Sequence, residues 1–298
     1  MSVDDSRQEK SLFKIVKLLM YSISIVFIIL ILIDGFSFYT TPYQQRPRHE
    51  DYRLLRPAGD LGHAAGIIGS SMMIFMLLYS LRKRTRFFRN WGRLNRWLDI
   101  HIFFGITGPL LVVIHTSFKV QGLVAVSFWS MVAVALSGVL GRYLYLQIPR
   151  DFQGEQLSAQ EIDKLKSGLA KELISDSKID QNQIQKIENE LSLERKAKRG
   201  TLRMLLAIIT DDLTRPFRVR KYRRRYLRRL NLPKEMKDKI LTAILDRALL
   251  NRKIAFLNQV QTLFHYWHVF HKPFAIIMYI IMLVHVGIAI WLGYTWVF

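Results

Sequence analysis

The chain of 298 residues contains no cysteine. That absence excludes disulfides, cysteine-ligated iron–sulfur clusters and haem attached through a C-x-x-C-H motif. Any cofactor must be held by other side chains, and the 8 histidines are the foremost candidates. Acidic residues are also scarce: 23 aspartates and glutamates face 44 lysines and arginines, for a net charge of +21. Asp34 and Asp99 stand only at the ends of apolar stretches, so an acid-lined path through a membrane is not indicated. No G-x-G-x-x-G nucleotide fingerprint and no low-complexity segment occurs.

What the chain has is long apolar runs. A membrane span needs about 20 predominantly apolar residues, and five segments qualify: about Leu12–Ile33, Leu61–Leu81, Leu98–Phe118, Leu123–Leu146 and Phe264–Trp296. The first is expected to be a retained helix. Its apolar part, Leu18–Ile33, is longer than a signal h-region and no small-residue cleavage site follows. The expected fold class is therefore all-α, an integral membrane protein of five transmembrane helices.

Basic residues fall between the runs. The segment Thr40–Asp60 and the turn at Lys119 hold only Arg46, Arg48, Arg53, Arg56 and Lys119. The rest lie in the N-terminus, in "RKRTRFFRNWGRLNR" (Arg82–Arg96) and between Arg142 and Lys272. The positive-inside rule then puts the N-terminus in the cytoplasm and the C-terminus outside, as suits a bacterial inner membrane. The charge is read as topology and contact with anionic headgroups in preference to nucleic-acid binding.

Four parts follow along the chain: residues 1–60 with the first span and an outer loop, 61–148 with spans two to four, a basic cytoplasmic insertion over 149–262, and 263–298 with span five. The insertion is expected to be helical. "SAQE" (Ser158–Glu161) fits a capping box; further helices are expected over Asp180–Lys198, from Thr201, and after Pro233, the last running nearly unbroken into span five. The run "RPFRVRKYRRRYLRR" (Arg215–Arg229) suits the membrane surface or an acidic partner subunit.

In span three, His101 and His115 are fourteen residues apart, and so are His271 and His285 in span five. Fourteen residues turn a helix about 1400°, roughly 40° short of four full turns, and advance about 21 Å. Each pair therefore shares a face, with one histidine near each leaflet. Spans three and five run in the same direction, so His101 matches His271 in depth near the cytoplasm, and His115 matches His285 toward the outside. This arrangement suits two bis-histidine b-type haems stacked across the membrane. His268 falls about 100° off the shared face and His265 lies further toward the cytoplasm, so both are read as surface or supporting groups. His49 carries no signal. His63, at the outer start of span two, could meet a haem propionate or a quinone, or simply sit among headgroups. Arg142, at the depth of His101 and His271, and Lys119, on the outer side, could each meet a propionate or snorkel to the headgroups. Gly66, Gly69, Gly105, Gly108, Gly138 and Gly141 would let helices or a flat macrocycle approach closely. Pro273 is read as a local kink.

At "HIFFGITGPLLVVIH" and "HKPFAIIMYIIMLVH" the chain resembles the di-haem b-type membrane cytochromes, including the haem core of cytochrome b and the ferric-reductase-like transmembrane domain. The resemblance covers spans two to five. It implies a four-helix haem bundle, two haem b groups, and electron transfer through His101/His271 and His115/His285. It does not supply the two ends of the relay. The chain lacks the flavin and nicotinamide domain of the reductases and the quinol-site motif of larger cytochromes b, and neither has the basic insertion. The expected role is thus an electron-transfer subunit of a membrane redox complex rather than a complete enzyme, exchanging electrons with protein partners or a quinone, in contact with lipid, the insertion being the docking surface. The competing classes are a histidine-lined metal or proton transporter and a membrane scaffold protein.

Overall fold

The structure, a computed structural model, describes residues 3–88, 91–92, 94–149, 161, 164, 201–225 and 234–294. Every regular element among them is helical: α1 (Val3–Asp34), α2 (Phe36–Thr40), a 3-10 turn at Arg46–Arg48, α3 (Tyr52–Leu55), α4 (Asp60–Phe75), α5 (Leu77–Arg84), α6 (Leu94–His115), α7 (Leu123–Gln147), α8 (Thr201–Arg225), α9 (Lys234–Ala255) and α10 (Leu257–Trp291). Five segments are long and apolar enough to cross a membrane: Leu12–Asp34, Tyr52–Arg84, Leu94–His115, Val124–Gln147 and Leu257–Trp291. The chain is an all-α membrane protein. Apolar side chains such as Leu18, Ile23, Leu136, Ile276 and Ile290 are exposed along these segments. Water would penalise that surface, whereas lipid accepts it, and helices satisfy their own backbone groups there.

Span two is not one helix. It breaks at Met76, whose carbonyl accepts the Tyr79 N–H at 3.3 Å instead of continuing the regular ladder. Span five passes through Pro273 without interruption and ends sooner than expected. Gly293, at φ +83°, closes the helix, with its N–H on Ile290 O and that of Tyr294 on Ala289 O. This left-handed glycine cap stops α10 at Trp291; Trp296 lies outside the described residues. The helices expected from Thr201 and after Pro233 form as α8 and α9, and only Phe256 separates α9 from α10. Those expected at Ser158–Glu161 and Asp180–Lys198 lie outside the described residues, apart from Glu161, which is helical.

The chain divides into two compact units, Leu140–His268 and the remainder. In the larger unit α4 packs on α6 through Gly69 and Gly108. A Cβ at Gly69 would lie 2.9 Å from Gly108 O, so only glycine permits this approach. α1 lies against the same pair, with Ile28 and Ile31 buried on Ala65, Leu111 and Ile114, Tyr21 edge-on to Phe103, and Lys17 bonded to Asp99 at 3.2 Å.

The smaller unit has an apolar core of Leu144, Ile148, Met204, Ile208, Phe256 and Val260. Beside it lies a buried charge network. Arg252 donates to Asp211 at 2.6 Å and to Asp212 at 2.5 Å through Nη1, and to Gln147 at 3.1 Å through Nη2. Arg218 bonds Asp211, and Tyr143 donates to Asp212 at 2.8 Å. The Arg252 and Asp211 side chains are each only 4% exposed. Burial alone would raise the Asp212 carboxyl, but hydrogen bonds from Arg252, Tyr143 and Gln147 outweigh it and hold the group below its usual range.

Removing one partner of such a pair leaves an unpaired buried charge, at about 3–5 kcal/mol. Arg252→Ala should therefore destabilise this unit by that order, measured as faster amide exchange in α8 and α9. The depressed Asp212 pKa favours folding fully above the ordinary carboxylate value of about 3.9, and this contribution fades as pH falls through the lower folded value. Amide exchange of α8 followed down the acid range should lose part of its pH dependence in Asp212→Asn.

Candidate functional site

His115 ends α6 and His285 lies on α10. Their rings meet edge-on, with centroids 6.5 Å apart and planes 61° apart. His115 Nδ1 donates to Gly62 O at 2.9 Å. A carbonyl can only accept, so Nδ1 carries the proton and a neutral ring leaves Nε2 as a bare donor atom for a metal. Gly66 makes room for this ring, since a Cβ there would stand 2.5 Å from His115 Nδ1. His63 lies half-buried near the start of α4.

His101 repeats the pattern. Its Nδ1 donates at 3.2 Å to Met76 O, the carbonyl at the break in span two. The Tyr79 ring stands 5.0 Å away. A cavity of about 330 Å³ adjoins this ring, lined by Phe75, Met76, Tyr79, Trp97, His101 and Phe104 among others. On α10, His271 places Nδ1 2.7 Å from Ser137 Oγ of α7, beside Gly138, where a Cβ would meet the ring at 4.0 Å. Both α6 histidines are thus anchored to span two and His271 to α7.

Between the two levels lies a methionine core. Met73 of α4, Met131 of α7 and Met278 and Met282 of α10 are buried together, with Val112, Val113 and Phe128 against them. Met278 is seven residues from both His271 and His285. Tyr279 OH ties α10 to Met73 O at 2.6 Å, and Ser127 Oγ ties α7 to Met278 O at 3.1 Å.

The remaining candidates have other surroundings. Arg142 is half-buried with its guanidinium 5.5 Å from the Tyr145 ring. Lys119 is exposed on the turn after α6. His268 bonds its own helix at Phe264 O, 2.9 Å, and His265 is exposed beside Tyr266. His49 contacts Ser37 at 3.1 Å and Asp51 at 3.6 Å in the segment between α2 and α4. Sequence reasoning missed Ser137, the Gly62 and Met76 carbonyls and the methionine core. A serine in an apolar span is a signal that could have been used; backbone carbonyls leave none.

Two imidazoles on opposite sides of one metal, each with a bond of about 2 Å and about 1 Å more to the ring centre, hold their centroids about 6 Å apart. His115 and His285, at 6.5 Å, come near that spacing, and a metalloporphyrin is the group whose two open axial positions such a pair would fill. Gly66→Ala should displace the His115 ring and break its bond to Gly62, read as a shifted Nδ1 signal in nitrogen-15 histidine NMR. No family model, curated protein or solved structure matches this chain.

Proposed function

We propose that the chain holds two b-type haems, one between His115 and His285 and one between His101 and His271, and passes electrons between the two sides of a membrane. The approach of the His115 and His285 rings to 6.5 Å between centroids carries the proposal. It draws further support from the Nδ1 bonds of His101 and His115, which leave the opposite nitrogen of each ring for coordination.

A haem iron supplies a one-electron couple when bound. The protein's part is to hold and tune it. The Gly62 and Met76 carbonyls fix the tautomer and tilt of the α6 histidines and raise their basicity as ligands. Ser137 steadies His271 from α7. The methionine core between the levels excludes water and fills irregular space with polarizable side chains. Lys119 and His63 are candidates for a propionate or a quinone. The orientation proposed is cytoplasmic for the N-terminus and external for the C-terminus, in a bacterial inner membrane. Partner redox subunits, and a quinone, are the proposed donors and acceptors.

The purified protein should show a Soret band, a reduced α band and a pyridine haemochrome yield near two haems per chain. His101→Ala or His271→Ala should remove one haem, and His115→Ala or His285→Ala the other. A folded but colourless protein would overturn the proposal. Loss of the same haem after His101→Ala and His285→Ala would overturn the pairing.

A further inference from the structure

The outer segment between α2 and α4 is built around one buried cation. Arg46 is 7% exposed. It donates through Nε to Thr41 O at 2.9 Å, through Nη2 to Tyr39 O at 2.7 Å and through Nη1 to Ser117 O at 2.6 Å. Its guanidinium also lies 4.2 Å from the Tyr43 ring centre and 5.1 Å from that of Phe38. Planar donors aimed at three carbonyls between two aromatic rings suit arginine and no other side chain.

Ser117 belongs to the reversal that follows His115. Both Ser117 (φ +47°) and Phe118 (φ +61°) adopt the left-handed conformation that non-glycine residues avoid. Two further contacts from the outer segment hold them. Ser117 Oγ donates to Leu55 O at 2.6 Å, and Tyr43 OH bonds Phe118 O. The turn is thus held from three points in the outer segment, two residues beyond His115. Such strain survives only where its surroundings over-determine it.

From this geometry we propose that Arg46 is a positioning residue for the outer histidine: by clamping the Ser117–Phe118 reversal it fixes the depth and tilt of His115. The consequence for haem rests on the two-haem function above; the clamp itself does not.

Three variants test it: Arg46→Ala, Arg46→Lys, which can reach fewer of the carbonyls, and Tyr43→Phe, which keeps the buried cation and removes only the bond to Phe118. Amide exchange at Ser117 and Lys119, whose N–H groups bond Ile114 O and Thr116 O, should quicken in all three, most in Arg46→Ala. In haem-loaded protein the EPR g-values and midpoint of the haem lost in His115→Ala should shift, with the other haem unchanged. Exchange that does not respond overturns the clamp. Faster exchange with an unshifted outer haem overturns the positioning role, as would equal changes in both haems. If Arg46→Ala does not fold, Tyr43→Phe decides by the same readouts. Wild-type protein without haem would sink the two-haem function alone, and the nitrogen-15 signal of His115 would then decide the positioning: unchanged in the variants, it overturns it.

Discussion

An imidazole among lipid-facing helices must find a partner for its N–H, because hydrocarbon offers none. The arrangement of this bundle depends on how that demand is met. His101 and His115 donate to main-chain oxygens of span two. Those bonds need α4 and α6 close together, and Gly69 against Gly108 supplies the closeness. They also need an accessible carbonyl, and the break at Met76 presents one at the depth of His101. Helix packing, the interruption of span two and the direction of the histidine rings are therefore one linked set of facts. The nitrogen left bare on each α6 ring is what gives the site its chemical character.

The segment between α2 and α4 shows the same logic with a full charge. A buried guanidinium is tolerated when its donors are met, and Arg46 meets three carbonyls and two aromatic rings. The two left-handed residues it helps to hold would each cost of order 1–3 kcal/mol. In the smaller unit Arg252 plays the comparable part, gathering two aspartates and a glutamine beside an apolar core. A chain with this much positive charge spends some of its arginines as internal ties rather than as surface.

Much of the frame was legible in advance. Five apolar runs became five spans because lipid accepts apolar surface wherever a run is long enough, whatever packs beside it. The fourteen-residue spacing sets both histidines of α6 on one face, and both of α10 likewise, because helical geometry is fixed per residue; that His115 comes beside His285 is a matter of helix packing. The network around Arg252 was less visible. Its clue is that Asp211 shares the seven-residue stripe of Met204 and Ile208, a buried face. The basic run from Arg215 suits the membrane surface or an acidic partner; within it Arg215 also bonds Leu245 O at 2.8 Å and Arg218 bonds Asp211, ties that charge alone does not mark.

The sequence by itself determined the class of protein, the number of spans and the register of the histidines, since these follow from hydropathy, length and the helical repeat. Only the tertiary structure decided which oxygen each histidine uses, which glycine makes room for it and which arginine fixes the turn beyond it. Those choices are made by main-chain atoms and by residues distant in sequence: Gly62 with His115, Met76 with His101, Arg46 with Ser117. Every residue carries the same carbonyl, so the letters of the sequence do not mark the one that is used.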